Sequence, residues 1–368
     1  MVIAIDLTAL SYHITGIERF ALCISENLLK IDQKNKYILV FRDEIYSSFN
    51  SYVDNNRIKV KILHGNNKLF FNQLVLPAAL YNIKADVFLF MAFTSPILFF
   101  KKNIITTIHD VGAWDFPNAL GLLQKVYCRV GCSVSAKVAT KIITVSEFSK
   151  NRISEVLRID KKKIYVVNSA VSEFFKEKTI SDELSIFKEY NLPDKYIMTL
   201  STLEPRKNME LLLKAFSNIQ DKVDYDLVLV GRKGWKIDEI LEKYNSKERI
   251  HITGFVRDEH VAVIYKNALC FVFPTLYEGF GLPPVEALSM GTPVISSNAA
   301  SMPEILRNQA VYFKSNDQRE LERLLLHLEE NVDTMPHELD EYQKNNYKFD
   351  VSAKKILKLI GELPCFCQ

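Results

Sequence analysis

The chain has 368 residues, of which 48% are hydrophobic and 25% charged, and it carries a formal net charge of +3. This length exceeds one average domain and suits two of similar size, while so small a charge gives no electrostatic case for a nucleic-acid partner. The six cysteines, Cys23, Cys128, Cys132, Cys270, Cys365 and Cys367, show neither the paired spacing of a zinc site nor a dense disulfide framework. Reduced thiols in a cytoplasmic protein are therefore expected, with the last two in a frayed tail.

The opening run Met1-Val2-Ile3-Ala4-Ile5-Asp6 reads as a buried strand and lacks the basic region and cleavage site of a signal peptide. Further strands are predicted at Tyr37–Phe41, Ile58–Leu63, Val87–Phe90, Ile104–His109, Ile142–Val145 and Ile164–Val167, with helices such as Glu18–Lys30 and Glu147–Leu157 between them. No apolar run reaches the ~20 residues that span a bilayer; Val87 to Phe100 is broken by Thr94, Ser95 and Pro96. The polar stretch Ser172–Lys195 ends in Leu192-Pro193-Asp194 and is the expected place for an interdomain connection.

A second series follows, with strands at Ile197–Ser201, Asp226–Val230, Ile250–Thr253, Leu269–Phe273, Pro293–Ser296 and Val311–Phe313, and helices at Asn208–Ile219 and Pro283–Met290. Most of these strands are continuous apolar runs, the mark of parallel sheets covered by helices on both faces. The expected fold is α/β, with domains at 1–177 and 178–345. The amphipathic Val351–Ile360 lies in a final segment 346–368 that can return to the first domain.

Open parallel sheets bind ligands at the carboxyl ends of their strands, so the motifs that follow strands carry the most information. One is Pro274-Thr275-Leu276-Tyr277-Glu278-Gly279-Phe280-Gly281-Leu282-Pro283-Pro284-Val285-Glu286-Ala287, a strand, a glycine loop and a helix start with prolines in its first turn. Gly279 and Gly281 leave room for a ligand to approach the backbone, and amides at the helix start can face a phosphate. Glu278, expected at the loop tip, and Glu286, in the early helix, could accept hydrogen bonds from two different sugars. The other motif is Glu204-Pro205-Arg206-Lys207-Asn208, whose adjacent cations could neutralise a diphosphate. Read alone, such a pair is more often a solvated surface feature; its place beside a strand end and the other motif point to the phosphate role. Thr106-Thr107-Ile108-His109-Asp110 ends a strand of the first half; His109, with a pKa near neutrality, fits either a structural role or contact with a sugar and proton handling. Gly16, in Thr15-Gly16-Ile17-Glu18-Arg19-Phe20, sits at a helix N-terminus that an anion could approach.

Together these phrases resemble the retaining glycosyltransferases of family 4, which have the GT-B fold of two Rossmann-like domains facing across a cleft. The E-x7-E spacing of Glu278 and Glu286 is the diagnostic part, and Ala287-Leu288-Ser289-Met290-Gly291-Thr292-Pro293-Val294-Ile295 and Val145-Ser146-Glu147-Phe148-Ser149-Lys150 extend it. The resemblance implies that Glu278 contacts the transferred sugar, Glu286 the ribose, Arg206 and Lys207 the donor phosphates, and His109 the sugar. Gly16, Gly279, Phe280, Gly281 and Leu282 would line the donor, and Val256, in Gly254-Phe255-Val256, would meet the nucleotide base. The chain departs from the family at Glu18, where a second glycine is usual, and at Arg307-Asn308-Gln309, so Glu304 is given no chemistry.

By resemblance the reaction retains anomeric configuration and uses no enzyme nucleophile. Asp224-Tyr225-Asp226 has the spelling of a D-x-D metal site but precedes a strand, so neither metal nor cofactor is expected. The motif wording looks most like bacterial mannosyltransferases of surface polysaccharide synthesis, such as O-antigen or capsule. That implies GDP-mannose as first choice of donor, with UDP- and dTDP-sugars open, and a glycan or undecaprenyl-type lipid-linked acceptor. Lys101-Lys102 and Lys161-Lys162-Lys163 could help a peripheral contact with the inner face of the plasma membrane. The rival readings are a sugar-nucleotide epimerase or a non-catalytic nucleotide-sugar-binding protein on the same fold. A nicotinamide enzyme would need G-x-G-x-x-G after an early strand, which neither half has.

Overall fold

The computed structural model describes residues 1–10, 16–172, 175, 183–201, 204–231, 243 and 248–365. The chain divides into two compact units, one of residues 1–170 with 346–368 and one of residues 171–345. The expected connection in 172–195 thus begins at the unit boundary, and most of its first half lies outside the described residues.

The first unit is built on a parallel sheet of seven strands in the order β3 (Ile58–Leu63), β2 (Lys36–Arg42), β1 (Val2–Asp6), β4 (Val87–Phe90), β5 (Ile104–Thr107), β6 (Lys141–Thr144) and β7 (Ile164–Val166). All residues of β4, β5 and β6 are buried, which is why, Lys141 apart, these strands read as unbroken apolar or β-branched runs rather than alternating ones. Around the sheet run helices α1 (Gly16–Ile31), α2 (Leu122–Val138) and α3 (Glu147–Leu157). Ser146 caps α3 by accepting from the Ser149 amide at 3.0 Å. Strand β5 stops at Thr107, so His109 falls just past its carboxyl end rather than inside the strand.

The second unit has a parallel sheet of six strands in the order β10 (Ile250–Gly254), β9 (Asp226–Val230), β8 (Tyr196–Leu200), β11 (Cys270–Phe273), β12 (Val294–Ser297) and β13 (Val311–Phe313). Its helices include α4 (Glu183–Glu189), α5 (Met209–Ile219), α6 (Asp258–Asn267), α7 (Leu282–Ser289) and α8 (Gln318–Leu326). One core cluster packs α5, with Leu212, Leu213 and Phe216 fully buried, against Leu227, Leu229 and Val272 of the sheet and Leu321 and Leu325 of α8.

In each sheet the chain first steps outward in one direction and then crosses back to the other side. The reversal lies between β1 and β4 in the first unit and between β8 and β11 in the second. Loops leaving the carboxyl ends of such a pair diverge to opposite faces and leave a crevice.

The last helix, α9 (Phe349–Gly361), belongs to the first unit and packs on α1. Its apolar face buries Ala353, Ile356, Leu359 and Ile360. Ser352 Oγ donates to the Asn168 carbonyl at 2.7 Å, and Lys141 Nζ donates to the Leu359 carbonyl at 2.9 Å and pairs with Glu362. The tail is not frayed as far as Cys365. Asn103 Nδ2 donates to the Pro364 carbonyl at 2.7 Å and Cys365 Sγ to Asp86 Oδ1 at 3.3 Å, interactions across more than 250 residues that no local pattern announces. Cys367 lies outside the described residues.

Because Ile356 is fully buried between α9 and the first unit's core, Ile356→Ala should cost about 2–5 kcal/mol of that unit's stability, read as a lower urea midpoint with the unfolding slope unchanged.

Candidate functional site

The loops after β8 and β11 form one structure. Pro205 starts a single 3-10 turn, Pro205–Lys207, and Asn208, at φ 56°, takes the left-handed conformation that ends it. This turn holds Arg206 and Lys207 toward the β11 loop. There the Leu276 amide donates to the Arg206 carbonyl at 2.8 Å, and Arg206 Nη1 donates to the Tyr277 carbonyl at 3.4 Å. Both motifs therefore flank the point of sheet reversal and are stitched to each other through the backbone.

Glu278 is not at an exposed loop tip; it is 8% exposed and sits inside this junction. Its Oε1 pairs with Lys207 Nζ and accepts from Thr275 Oγ1 at 3.3 Å, while its Oε2 lies 3.6 Å from Arg206 Nη1. The cause is the turn above, which delivers two cations where the loop would otherwise face water. Arg206 is also held by Glu204, Nε to Oε2 at 3.0 Å, and Lys207 Nζ stands 5.6 Å over the Phe273 ring. Burial opposes the charge on Glu278, but Lys207 and Arg206 outweigh it and hold the carboxyl below its ordinary value. Burial pushes the Lys207 ammonium below its ordinary value, with Glu278 opposing and Arg206 reinforcing. The four side chains form a charge-balanced group: two carboxylates and two cations.

Gly281, at φ 81°, is the N-cap of α7, and Pro283 and Pro284 follow in its first turn. A Cβ on Gly281 would lie 2.3 Å from Met302 Cε. Ser301 Oγ donates to the Glu278 carbonyl at 3.0 Å. Ser301 and Met302 thus underlie the glycine loop. On α7, Glu286 is buried and accepts from Tyr265 Oη at 3.3 Å. Tyr265 is wholly buried on α6 and carries no motif that would mark it.

Gly231, at φ 137° just past β9, is a third supporting position: a Cβ there would lie 1.9 Å from the Ser201 carbonyl oxygen, so the chain passes where only glycine fits. Its amide donates to the Gly254 carbonyl at 2.9 Å, tying in the loop that carries Val256, which is buried. A glycine directly after the apolar run Leu227–Val230 was the one available signal.

His109 and Gly16 belong to the first unit. His109 is edge-on to Phe20 of α1, centroids 5.2 Å apart. Its Nε2 is 3.0 Å from the Met91 carbonyl; that oxygen can only accept, so Nε2 carries the hydrogen and the Nδ1 lone pair remains. Burial lowers the His109 pKa, against the Met91 carbonyl and the Asp110 and Glu18 carboxylates, which favours this neutral form. Gly16 is exposed and opens α1. Asp226 of the D-x-D spelling is bound to Arg249 Nε at 2.8 Å and His251 Nε2 at 2.7 Å, and Asp224 pairs with Lys195 at 3.6 Å. Among the described residues no three His, Cys, Asp or Glu side chains are grouped as a metal site.

Residues 181–346, the segment that contains this junction, match the family model for glycosyl transferases group 1. The match lies almost wholly within the second unit. The O-antigen chain mannosyltransferase B of Escherichia coli is 31% identical over 222 residues, 59% of this chain and 58% of that protein. The chain therefore spans little more than half the length of that relative. The O-antigen chain mannosyltransferase RfbU of Salmonella typhimurium is 26% identical over 271 residues, 73% of this chain and 70% of that protein. Anabaena Alr3699/HepE, solved in complex with UDP and glucose, superposes with a TM-score of 0.73 over 99% of this chain and 100% of its own, at 15% identity. The two-sheet architecture is the GT-B fold.

Within this segment, the lowered Glu278 pKa has a sign. The ion pair contributes its full stability above the ordinary glutamate value of 4.5 and loses it as pH falls through the lower folded value. Glu278→Gln should therefore flatten the fall in melting temperature below about pH 4.5. Gly231→Ala should cost at least ~2 kcal/mol, measured by chemical denaturation.

Proposed function

We propose that this protein is a retaining hexosyltransferase that moves a sugar, mannose from GDP-mannose as first choice, onto a glycan or lipid-linked acceptor in bacterial surface polysaccharide synthesis. The observation that carries the reading is the buried Lys207–Glu278 pair, with Arg206 beside it, at the sheet reversal of the segment that matches the glycosyl transferases group 1 model. Burying an ion pair is a poor way to gain stability, and at a ligand crevice it has a chemical use. An arriving diphosphate competes for the two cations and releases the Glu278 carboxylate to accept hydrogen bonds from the sugar. The relatives that act as O-antigen mannosyltransferases support mannose and the pathway. The HepE complex with UDP and glucose supports a nucleotide-sugar donor.

In the reaction the bond between the anomeric carbon and a diphosphate oxygen breaks, and the acceptor oxygen bonds to that carbon from the same face. The acceptor proton passes to the departing diphosphate oxygen, so no side-chain base is required. Arg206 and Lys207 stabilise the charge that grows on the diphosphate, a task that in this scheme needs no metal. In the second unit Glu278 orients the sugar and Glu286 takes the ribose; the Nδ1 lone pair of His109 is the acceptor that the first unit offers to a sugar hydroxyl.

Titration calorimetry with GDP-mannose, without added metal, tests the donor half. Arg206→Ala should weaken binding on the order of tenfold or more, as expected for losing a charge-assisted hydrogen bond. Glu278→Ala should lower acceptor-dependent release of nucleotide by about a hundredfold or more without weakening the free nucleoside diphosphate, since Lys207 no longer shares its charge with that carboxylate. Release of nucleotide that does not depend on acceptor would refute transfer, and a panel of UDP- and dTDP-sugars identifies the donor if GDP-mannose fails to bind.

A further inference from the structure

The first unit gathers on one face apolar side chains that its core does not use. Helix α2 exposes Leu122, Val126 and Val130 at i, i+4 and i+8, a single stripe, with Leu123 beside it; Leu122 is 71% and Leu123 87% exposed. The adjoining helical run, Lys68–Phe70, Phe71–Val75 and Leu76–Tyr81, exposes Phe70 at 58%, together with Leu69 and Leu74. The loop after β4 exposes Phe100 at 59%, together with Leu98. Gln73 joins these three segments, its Nε2 donating to Tyr127 Oη on α2 at 3.0 Å and its Oε1 accepting from the Ile97 amide at 2.9 Å. Tyr81 Oη closes the circuit, donating to the Leu98 carbonyl at 3.3 Å and accepting from the Phe100 amide at 3.0 Å. A monomer rarely leaves so continuous an apolar surface to water without using it.

The charge within the segments that form this face has one sign. Residues 67–82, 93–102 and 121–134 contain five lysines and arginines and no Asp or Glu, in a chain whose totals are 47 and 44. Two of these cations rest on neutral partners: Lys101 Nζ on the Tyr81 and Ile83 carbonyls at 2.8 and 3.1 Å, and Arg129 Nε on the Ala113 carbonyl at 3.0 Å. A two-fold contact between copies would set the cations against their own images. An anionic bilayer sets them against phosphate and lets leucine and phenylalanine enter the acyl boundary.

We propose that this face is a docking surface for an anionic phospholipid membrane, with Leu122, Leu123 and Phe70 inserted and Lys101, Lys125 and Arg129 at the headgroup level. It goes beyond the donor chemistry and places the first unit where a lipid-linked acceptor would be met. No helix among the described residues is long and apolar enough to cross a membrane.

Co-sedimentation of the full chain with vesicles of phosphatidylglycerol and phosphatidylcholine, against phosphatidylcholine alone, reads the proposal directly. Each cation should contribute about fivefold to partitioning onto the anionic vesicles, and raised salt should reduce the bound fraction. The double variant Leu122→Glu/Leu123→Glu should lower partitioning by roughly tenfold or more. Leu184→Glu, at a residue of α4 that is 77% exposed in the other unit, should leave it unchanged. Circular dichroism and nucleotide binding, expected to be intact in both variants, keep this result separate from the transferase reading. The proposal is overturned if the wild-type chain fails to sediment with the anionic vesicles, or if the double variant sediments as the wild type does. A dimer in light scattering that the double variant breaks, with no vesicle binding, would assign the face to a second copy instead.

Discussion

A carboxylate and an ammonium group, both removed from water, meet where the two central strands of the second sheet end. Each alone would carry a desolvation penalty of several kcal/mol. Glu278 meets this with Lys207, Arg206 and Thr275 around its two oxygens, and Lys207 with Glu278 and the face of Phe273. Neither loop can move without leaving the other's charge unpaired. That mutual dependence sets the shape of the turn at Pro205–Lys207 and the path of the glycine loop, and Ser301, Met302 and Gly231 fit around it.

The same interaction connects structure to chemistry. A site evolved only for stability would do as well with packed apolar groups. This one stores two cations at the crevice of an open sheet, neutralised by a carboxylate that an anionic ligand can replace. On the proposed reading the exchange is the first event of catalysis: phosphate oxygens take over from the Glu278 oxygens, and a carboxylate already desolvated and aimed becomes available to the sugar. Preorganisation of this kind is where electrostatic catalysis obtains its advantage, since little reorientation remains to be done when charge develops.

The two units divide their surfaces differently. In the second, polar side chains converge on the strand ends at the point of reversal. In the first, the strand-end histidine is held neutral and edge-on to Phe20, while apolar groups on α2 and its neighbours face outward among cations. A stripe at helical spacing is ordinarily a core stripe, and only the placement of α2 on the unit shows that the described residues leave it exposed.

Among the described residues all thirteen strands fall where the sequence placed them; those buried on both faces, such as β4 and β11, were legible as uninterrupted apolar runs, and β3, with Lys59 and Lys61, as an alternating one, both of them local patterns. The glycine loop and the helix start after it were legible too, because Gly281 and the paired prolines of α7 impose a backbone conformation by their own covalent structure; Asn208, expected to open a helix, instead ends the turn before it. What the sequence by itself determined is therefore the α/β class, the strand positions and the motifs at the strand ends. The tertiary structure alone decided that Glu278 is buried rather than solvated, that Tyr265 meets Glu286, that Ser301 holds the glycine loop, and that α9 and the tail to Cys365 close the first unit. Each of these joins residues far apart along the chain, and a contact made by long-range packing leaves no periodicity or composition in the residues that make it.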